Sequence, residues 1–181
     1  MLQTYRLYVT YEIGANRTMT TASSAATENG TATRTAAEWV EGFAEGWRAP
    51  TDADSFSDHF EPLLGDEMRL VQPQMPERVG KRAFREEFAR PLFSLLHDVR
   101  GTVGSWAATE EGDDTILFVE LEIHARLVGG RPVTLRTTDR IRLRRGVAVE
   151  RIANLDPLEL LGPVALSPRA WPAFLRARFG R

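Results

Sequence analysis

Trp39, Phe43 and Trp47 recur every four residues in TAAEWVEGFAEGW, a spacing that places all three on one face of a helix beginning near Thr35. Pro50 and the TDAD that follows stop this helix and cap a second over 55–64, where Phe56, Phe60 and Leu63 repeat the helical period. The segment EMRLVQ (67–72) alternates apolar and polar residues and reads as a short strand with Met68, Leu70 and Gln72 on one side. Beyond Gly80, KRAFREEFARPLFSLLHDV carries Phe84, Phe88, Leu92 and Leu95 or Leu96 as the apolar stripe of a third helix, and Pro91 inside it predicts a kink. From Gly101 the period changes to two, over 102–108, 115–127, 132–144 and 147–154, with GDD, GG and RRG as turns of an antiparallel meander. Three helices with one strand among them, followed by four strands, predict an α+β domain with the helices packed in a curved, mostly antiparallel sheet.

The chain of 181 residues, 43% of them hydrophobic, suffices for one core and is short for two. Residues 18–35 are small and polar, too poor in apolar surface to offset the entropy of ordering, so 1–34 is expected to be a flexible leader, with Met19 as a candidate start. The domain is then 35–161, and 162–181 is a basic tail with a short helix. A net charge of −2 gives no overall bias toward nucleic acid or an anionic membrane. Without cysteine there is no disulfide or thiolate chemistry, which fits a cytoplasmic protein. The first residues contain no apolar run long enough for a signal peptide or a membrane span, and the sequons at Asn16 and Asn29 are then chance matches.

The segment 132–144 has two very different faces. Val133, Leu135, Thr137, Asp139, Ile141 and Leu143 fall on one; Thr134, Arg136, Thr138, Arg140, Arg142 and Arg144 fall on the other. The preceding strand has Leu117, Val119, Leu121 and Ile123 inward, while Glu120, Glu122 and His124 fall outside, where the glutamates can pair with the arginines. Asp139 is the exception on the apolar face. A lone buried charge costs several kcal/mol, on the order of what a domain can spare, so Asp139 must be paired, protonated or open to a pocket. A hairpin turning at 144–146 would set Leu143 opposite Val147 and hence Asp139 opposite Arg151. That pair reads either as an internal ion pair fixing the strand register or as part of a catalytic site.

This order of elements, with the closing stretch GGRPVTLRTTDRIRLRRGVAVERIANLDPLELL, resembles the SnoaL-like branch of the nuclear transport factor 2-like superfamily over about Ala36 to Leu161. The resemblance implies a cone-shaped α+β barrel and a homodimer. It also implies a cofactor-independent enzyme, since the superfamily includes polyketide cyclases, ketosteroid isomerases and limonene epoxide hydrolase. Asp139 falls where the cyclases have an acid/base aspartate and the isomerases a protonated one, a form that an apolar surround maintains. Arg151 falls at or next to a histidine of the cyclases, and beside it Asp139 would be ionised, a base rather than an acid. Gln72 stands where the isomerases have their proton-shuttling aspartate and Phe43 about where they have a tyrosine, which argues against steroid-type isomerisation. The Arg-x-Asp motif of the epoxide hydrolases corresponds to Glu120-Leu-Glu122, and their last aspartate to about Ala153, so that set is missing.

The expected function is acid/base chemistry on a hydrophobic polyketide-, steroid- or terpene-like metabolite, as a cyclase, isomerase or epoxide hydrolase. Asp139 and Arg151 would be catalytic; Gln72, Phe43, Trp47, Phe88, Trp106 and Thr137 would bind substrate. The alternative is a noncatalytic ligand-binding or dimerisation module of the same fold. No metal site is expected, because His59, His97 and His124 lack ligand spacing, and no phosphate-binding glycine loop or nucleophile elbow is present. His59 and His97 are placed near helix ends, where a histidine usually answers the helix dipole. In the tail, Trp171, Phe174, Leu175 and the arginines are expected to pack on the domain or on a partner copy, with no membrane role.

Overall fold

The computed structural model describes residues 34–72 and 75–179, so the leader expected over 1–34 lies, apart from Arg34, outside the described residues. Thr35 caps α1 (Ala36–Arg48): its hydroxyl accepts from the Glu38 amide while the Glu38 carboxylate accepts from the Thr35 amide, satisfying two end groups reciprocally. Asp52 caps α2 (Ala53–Phe60) by accepting from the amides of Asp54 and Ser55. A 3-10 turn, Glu61–Leu63, ends that helix at Pro62. A Cβ on Gly46 would lie 2.5 Å from the Phe60 ring, so the crossing of α1 and α2 requires a glycine there. Trp39, Phe43, Trp47, Phe56 and Phe60 are all buried, as their spacing predicts.

The third helix, α3 (80–95), is not uniform. It is α-helical over Gly80–Ala83, π-helical over Phe84–Ala89 and α-helical again over Arg90–Leu95. Pro91 accounts for the break, having no N–H for the carbonyl four residues earlier and a ring that crowds it. That carbonyl, of Glu87, accepts instead from Nε of the buried Arg78 at 3.2 Å. The expected kink is thus a widened turn. The helix ends at Leu95 and the sheet resumes at Leu96, so His97 lies two residues past that helix end, on a strand, and is exposed.

Six strands form one sheet: β1 (Leu64–Val71), β2 (Arg78–Val79), β3 (Leu96–Glu111), β4 (Asp114–Leu127), β5 (Pro132–Arg144) and β6 (Val147–Leu155). Their order is β2-β1-β6-β5-β4-β3, with β1 and β6 parallel and the other neighbours antiparallel. Because β2 and β3 are unpaired edges, the curved sheet is open; the expected barrel does not close. α1 lies against β3, and the aromatic face of the helices fills the concave side. A Cβ on Gly101 would come within 2.7 Å of the Trp47 Cβ, so that glycine sets how closely α1 approaches β3.

β5 has the expected bounds and the expected faces, with buried positions alternating with half-buried or exposed ones from Val133 to Arg144. The hairpin after it departs from expectation. Arg145 and Gly146, at φ of 52° and 74°, form a two-residue turn, so Arg144 pairs with Val147 and Leu143 with Ala148. A bulge then intervenes, and Arg142 pairs with Glu150, leaving Val149 as the extra residue. Arg151 therefore stands opposite Ile141, and Asp139 opposite Ala153.

The outer face of the sheet is a charge ladder. Glu122 accepts from Arg136 at 2.8 Å, Glu150 is shared by Arg69, Arg140 and Arg142, and Arg144 holds Asp114 through two bonds of 2.8 Å. After β6, Asp156 caps α4 (Pro157–Ala165), and a 3-10 turn leads to α5 (Trp171–Phe179). α5 packs against the end of α3, and its Trp171 indole donates to the Val164 carbonyl at 2.9 Å. No helix among the described residues is long and apolar enough to cross a membrane.

Candidate functional site

The concave side of the sheet holds a cavity of about 250 Å³. One end of the sheet supplies Leu96, Ile123, Leu135 and Thr137; α3 supplies Phe88, Pro91, Leu92 and Leu95; and Trp47 of α1, Gln72 and Arg151 complete the inner wall. The outer wall is the C-terminal segment, with Leu155, Leu160, Leu161, Phe174 and Arg178. Among the described residues that line it there is no carboxylate and no histidine. The charged groups are Arg151, which is buried, and Arg178, which is exposed.

Behind this wall, Arg151 and Asp139 form a buried ion pair. Nε donates to Oδ2 of Asp139 at 2.7 Å, and Nη2 lies 2.6 Å from the same oxygen. Asp139 is 0% exposed and does not line the cavity. The expectation that the two side chains are inward neighbours holds, through a diagonal contact rather than a direct cross-strand one. The guanidinium carbon sits 5.2, 5.8 and 5.9 Å from the ring centres of Phe43, Trp47 and Phe88, close enough for each π face to attract the cation. Aromatic packing and a carboxylate from behind therefore fix Arg151 at the cavity.

Three buried polar atoms near this pair have no hydrogen-bond partner among the described residues: Trp47 Nε1, Thr137 Oγ1 and Asp139 Oδ1. An unmatched buried polar group costs about 1–3 kcal/mol. Trp47, Thr137 and Arg151 all line the cavity, so its wall carries an indole N–H, a hydroxyl and a guanidinium. Such a set stabilises negative charge developing on oxygen.

Of the residues singled out from sequence, Gln72, Trp47, Phe88, Thr137 and Arg151 line the cavity. Phe43 does not; it faces a separate void of about 10 Å³ and meets the site through the Arg151 guanidinium and an edge contact with Trp47. Trp106 lines neither space, because it pairs with Val119, four residues from Ile123 toward the other end of the sheet, beyond a bulge after Val103. His59 bonds the Gly42 carbonyl at 2.8 Å, and His124 is exposed against Glu122. No group of three or more potential metal ligands occurs among the described residues. The outer wall was not foreseen, although Phe174 and Arg178, one helical turn apart, were a signal in the sequence.

A family model, the SnoaL-like domain, matches residues 36–151, more than half of the chain. The chain belongs to the SnoaL-like family. Solved structures give the same fold. A protein with a ketosteroid isomerase-like fold from Catenulispora acidiphila DSM 44928, in complex with trimethylamine, is 14% identical at a TM-score of 0.57, covering 72% of this chain and 95% of its own. A SnoaL-like protein named as a candidate polyketide cyclase, from Jannaschia sp. CCS1, is 18% identical at 0.55, covering 78% and 100%. TerC, co-crystallised with polyporic acid, is 18% identical at 0.53, covering 75% and 97%. At these identities the likeness is one of fold. No curated protein matches the sequence.

Proposed function

We propose that this SnoaL-like domain binds a hydrophobic, carbonyl- or enol-bearing small molecule in its cavity and polarises the ligand oxygen with Arg151, without a cofactor. The observation that carries this reading is the unpartnered indole N–H of Trp47 and hydroxyl of Thr137 beside Arg151 at the inner end of an otherwise apolar space. The relatives support it: one was crystallised with polyporic acid, and another is named as a candidate polyketide cyclase. Asp139, dry and behind the guanidinium, is a positioning residue: it fixes Arg151 rather than touching the ligand. Chemistry of this kind is cyclisation or isomerisation through an enolate, whose charge Arg151 would receive. Epoxide hydrolysis would need a carboxylate to activate water, and none of the described residues that line the cavity carries one.

A second reading rests on Asp139 Oδ1, which is buried without a partner. If the ligand reaches that oxygen, Asp139 is the proton acceptor and belongs to the catalytic residues, as the family resemblance implies. Turnover of a confirmed substrate by folded protein decides between the two, since Asp139→Asn abolishes a proton acceptor but keeps an oxygen that can accept from Arg151. The outer face, with Phe118 exposed among the arginines, is the surface on which a second copy would dock, and sedimentation against concentration tests that.

Binding is tested by titrating polycyclic ketones and hydroxyquinones into the full chain and into the Asp139→Leu, Arg151→Met double variant, which removes both charges together. Saturable binding by the wild type, weakened about tenfold or more in the double variant, is expected; each tenfold is ~1.4 kcal/mol. Equal binding by both folded proteins would overturn the role of Arg151.

A further inference from the structure

Apart from Glu159, α4 carries no charged or polar side chain, and Glu159 is taken up at the sheet, where it accepts from the amide and side chain of Arg136. One side of α4 meets the domain, with Val164 buried and Leu160 packed against the core. The other side is also apolar. Leu158, Leu161, Ala165 and Leu166, at the spacing of a single helix face, are all exposed, Leu158 and Leu166 by 71% and 68%. On α5, Phe174 packs on the core, whereas Trp171 and Leu175, one turn apart, stand half out of it. Five of the seven large apolar residues exposed among the described residues therefore fall in this one segment, which is a concentration that calls for a partner.

The charge around this face has one sign. Arg169 and Arg176 are exposed and have no ion-pair partner among the described residues, and Arg131 bonds only neutral oxygens, the Ser167 hydroxyl and the Leu166 carbonyl. A second copy docked through the same face would set these arginines against each other across a two-fold axis. An anionic lipid surface answers both the leucines and the arginines. We propose that the α4–α5 face docks on such a surface, with Leu158, Leu166 and Trp171 entering the headgroup boundary and Arg169 and Arg176 meeting lipid anions. The contact is peripheral, since no helix among the described residues is long and apolar enough to cross a membrane. It runs against the expectation that the tail packs on the domain with no membrane role, because Phe174 packs in that way and Trp171 and Leu175 do not. Leu161 belongs both to this face and to the cavity wall, so the docked face adjoins the cavity, although the docking itself requires no ligand there.

The test sediments the full chain with vesicles of phosphatidylcholine, alone or with about 30% phosphatidylserine. Binding to the anionic vesicles is expected, roughly tenfold stronger than to the neutral ones and weakening as salt is added. Leu158→Ser with Leu166→Ser, at exposed positions and with an unchanged melting temperature, should weaken it roughly fivefold or more. Arg169→Gln with Arg176→Gln should erase the preference for anionic lipid. Absence of binding, equal binding to both vesicles, or undiminished binding by the leucine variant would each overturn the inference. So would self-association of the lipid-free chain that the leucine substitutions abolish, since a second copy would then cover the face.

Discussion

The two faces of β5 carry the same kinds of charge and put them to different uses. Outside, Arg136, Arg140, Arg142 and Arg144 meet Glu122, Glu150 and Asp114 in contacts that share partners, with the arginines partly exposed. Inside, Asp139 and Arg151 form a single pair with no alternative, enclosed by Phe43, Trp47 and Phe88. An exposed pair gains little because water already solvates both ions, whereas a buried pair is costly to assemble and more costly to break. The inner pair therefore contributes a fixed cation beside a cavity more than it contributes stability.

The largest effect should come from breaking that asymmetry. Asp139→Leu leaves Arg151 buried without a counter-charge and should lower stability by about 3–5 kcal/mol in urea denaturation, whereas adding Arg151→Met should recover most of the loss. If the double variant is as unstable as the single one, the packing and not the charge was decisive. Next, Gly101→Ala forces a methyl against Trp47 at the base of the site and should cost about 1–3 kcal/mol through overpacking. Arg78→Met, which strips the donor from the Glu87 carbonyl, should cost about 1–2 kcal/mol and loosen α3, measurable as faster amide exchange over 84–91.

The smallest effect at neutral pH belongs to the outer face. Hydrogen bonds from Arg144 hold the Asp114 carboxyl below its ordinary value, outweighing the opposing effect of burial, and Arg136 does the same for Glu122. A depressed folded-state carboxyl stabilises above the unfolded value, near pH 4, and that contribution is lost as pH falls through the folded value. Asp114→Asn should thus lower the melting temperature slightly at pH 7, and the difference from wild type should vanish well below about pH 4, where the wild type has lost the same contribution. An unchanged acid limb would show that Asp114 does not couple to folding.

Much of the scaffold was legible because it depends on period alone. The Trp39, Phe43, Trp47 stripe, the limits of β5 and the inward placing of Asp139 all follow from spacings of four or two that the core enforces. What was not legible depends on where the period breaks. The turn at Arg145 and Gly146, the extra residue at Val149 and the bulge before Trp106 each shift a register by one, and a bulge leaves no compositional mark. The outer wall of the cavity escaped for another reason: α5 is placed by contacts distant in sequence, and its alternation of apolar and basic residues suits several surfaces equally well.

The bulge at Val149 makes β6 a strand read in two frames. Before it, even-numbered Ala148 faces the core; after it, odd-numbered Arg151 and Ala153 do. Deleting that one residue would remove the bulge and leave Arg151 facing the core opposite Ile141, whereas taking Val149 into regular alternation would bring Glu150 opposite Ile141 and send Arg151 to the solvent. The identity of the site is thus held by backbone geometry as well as by composition, because the same residues in an unbulged strand would put a glutamate where the cation stands.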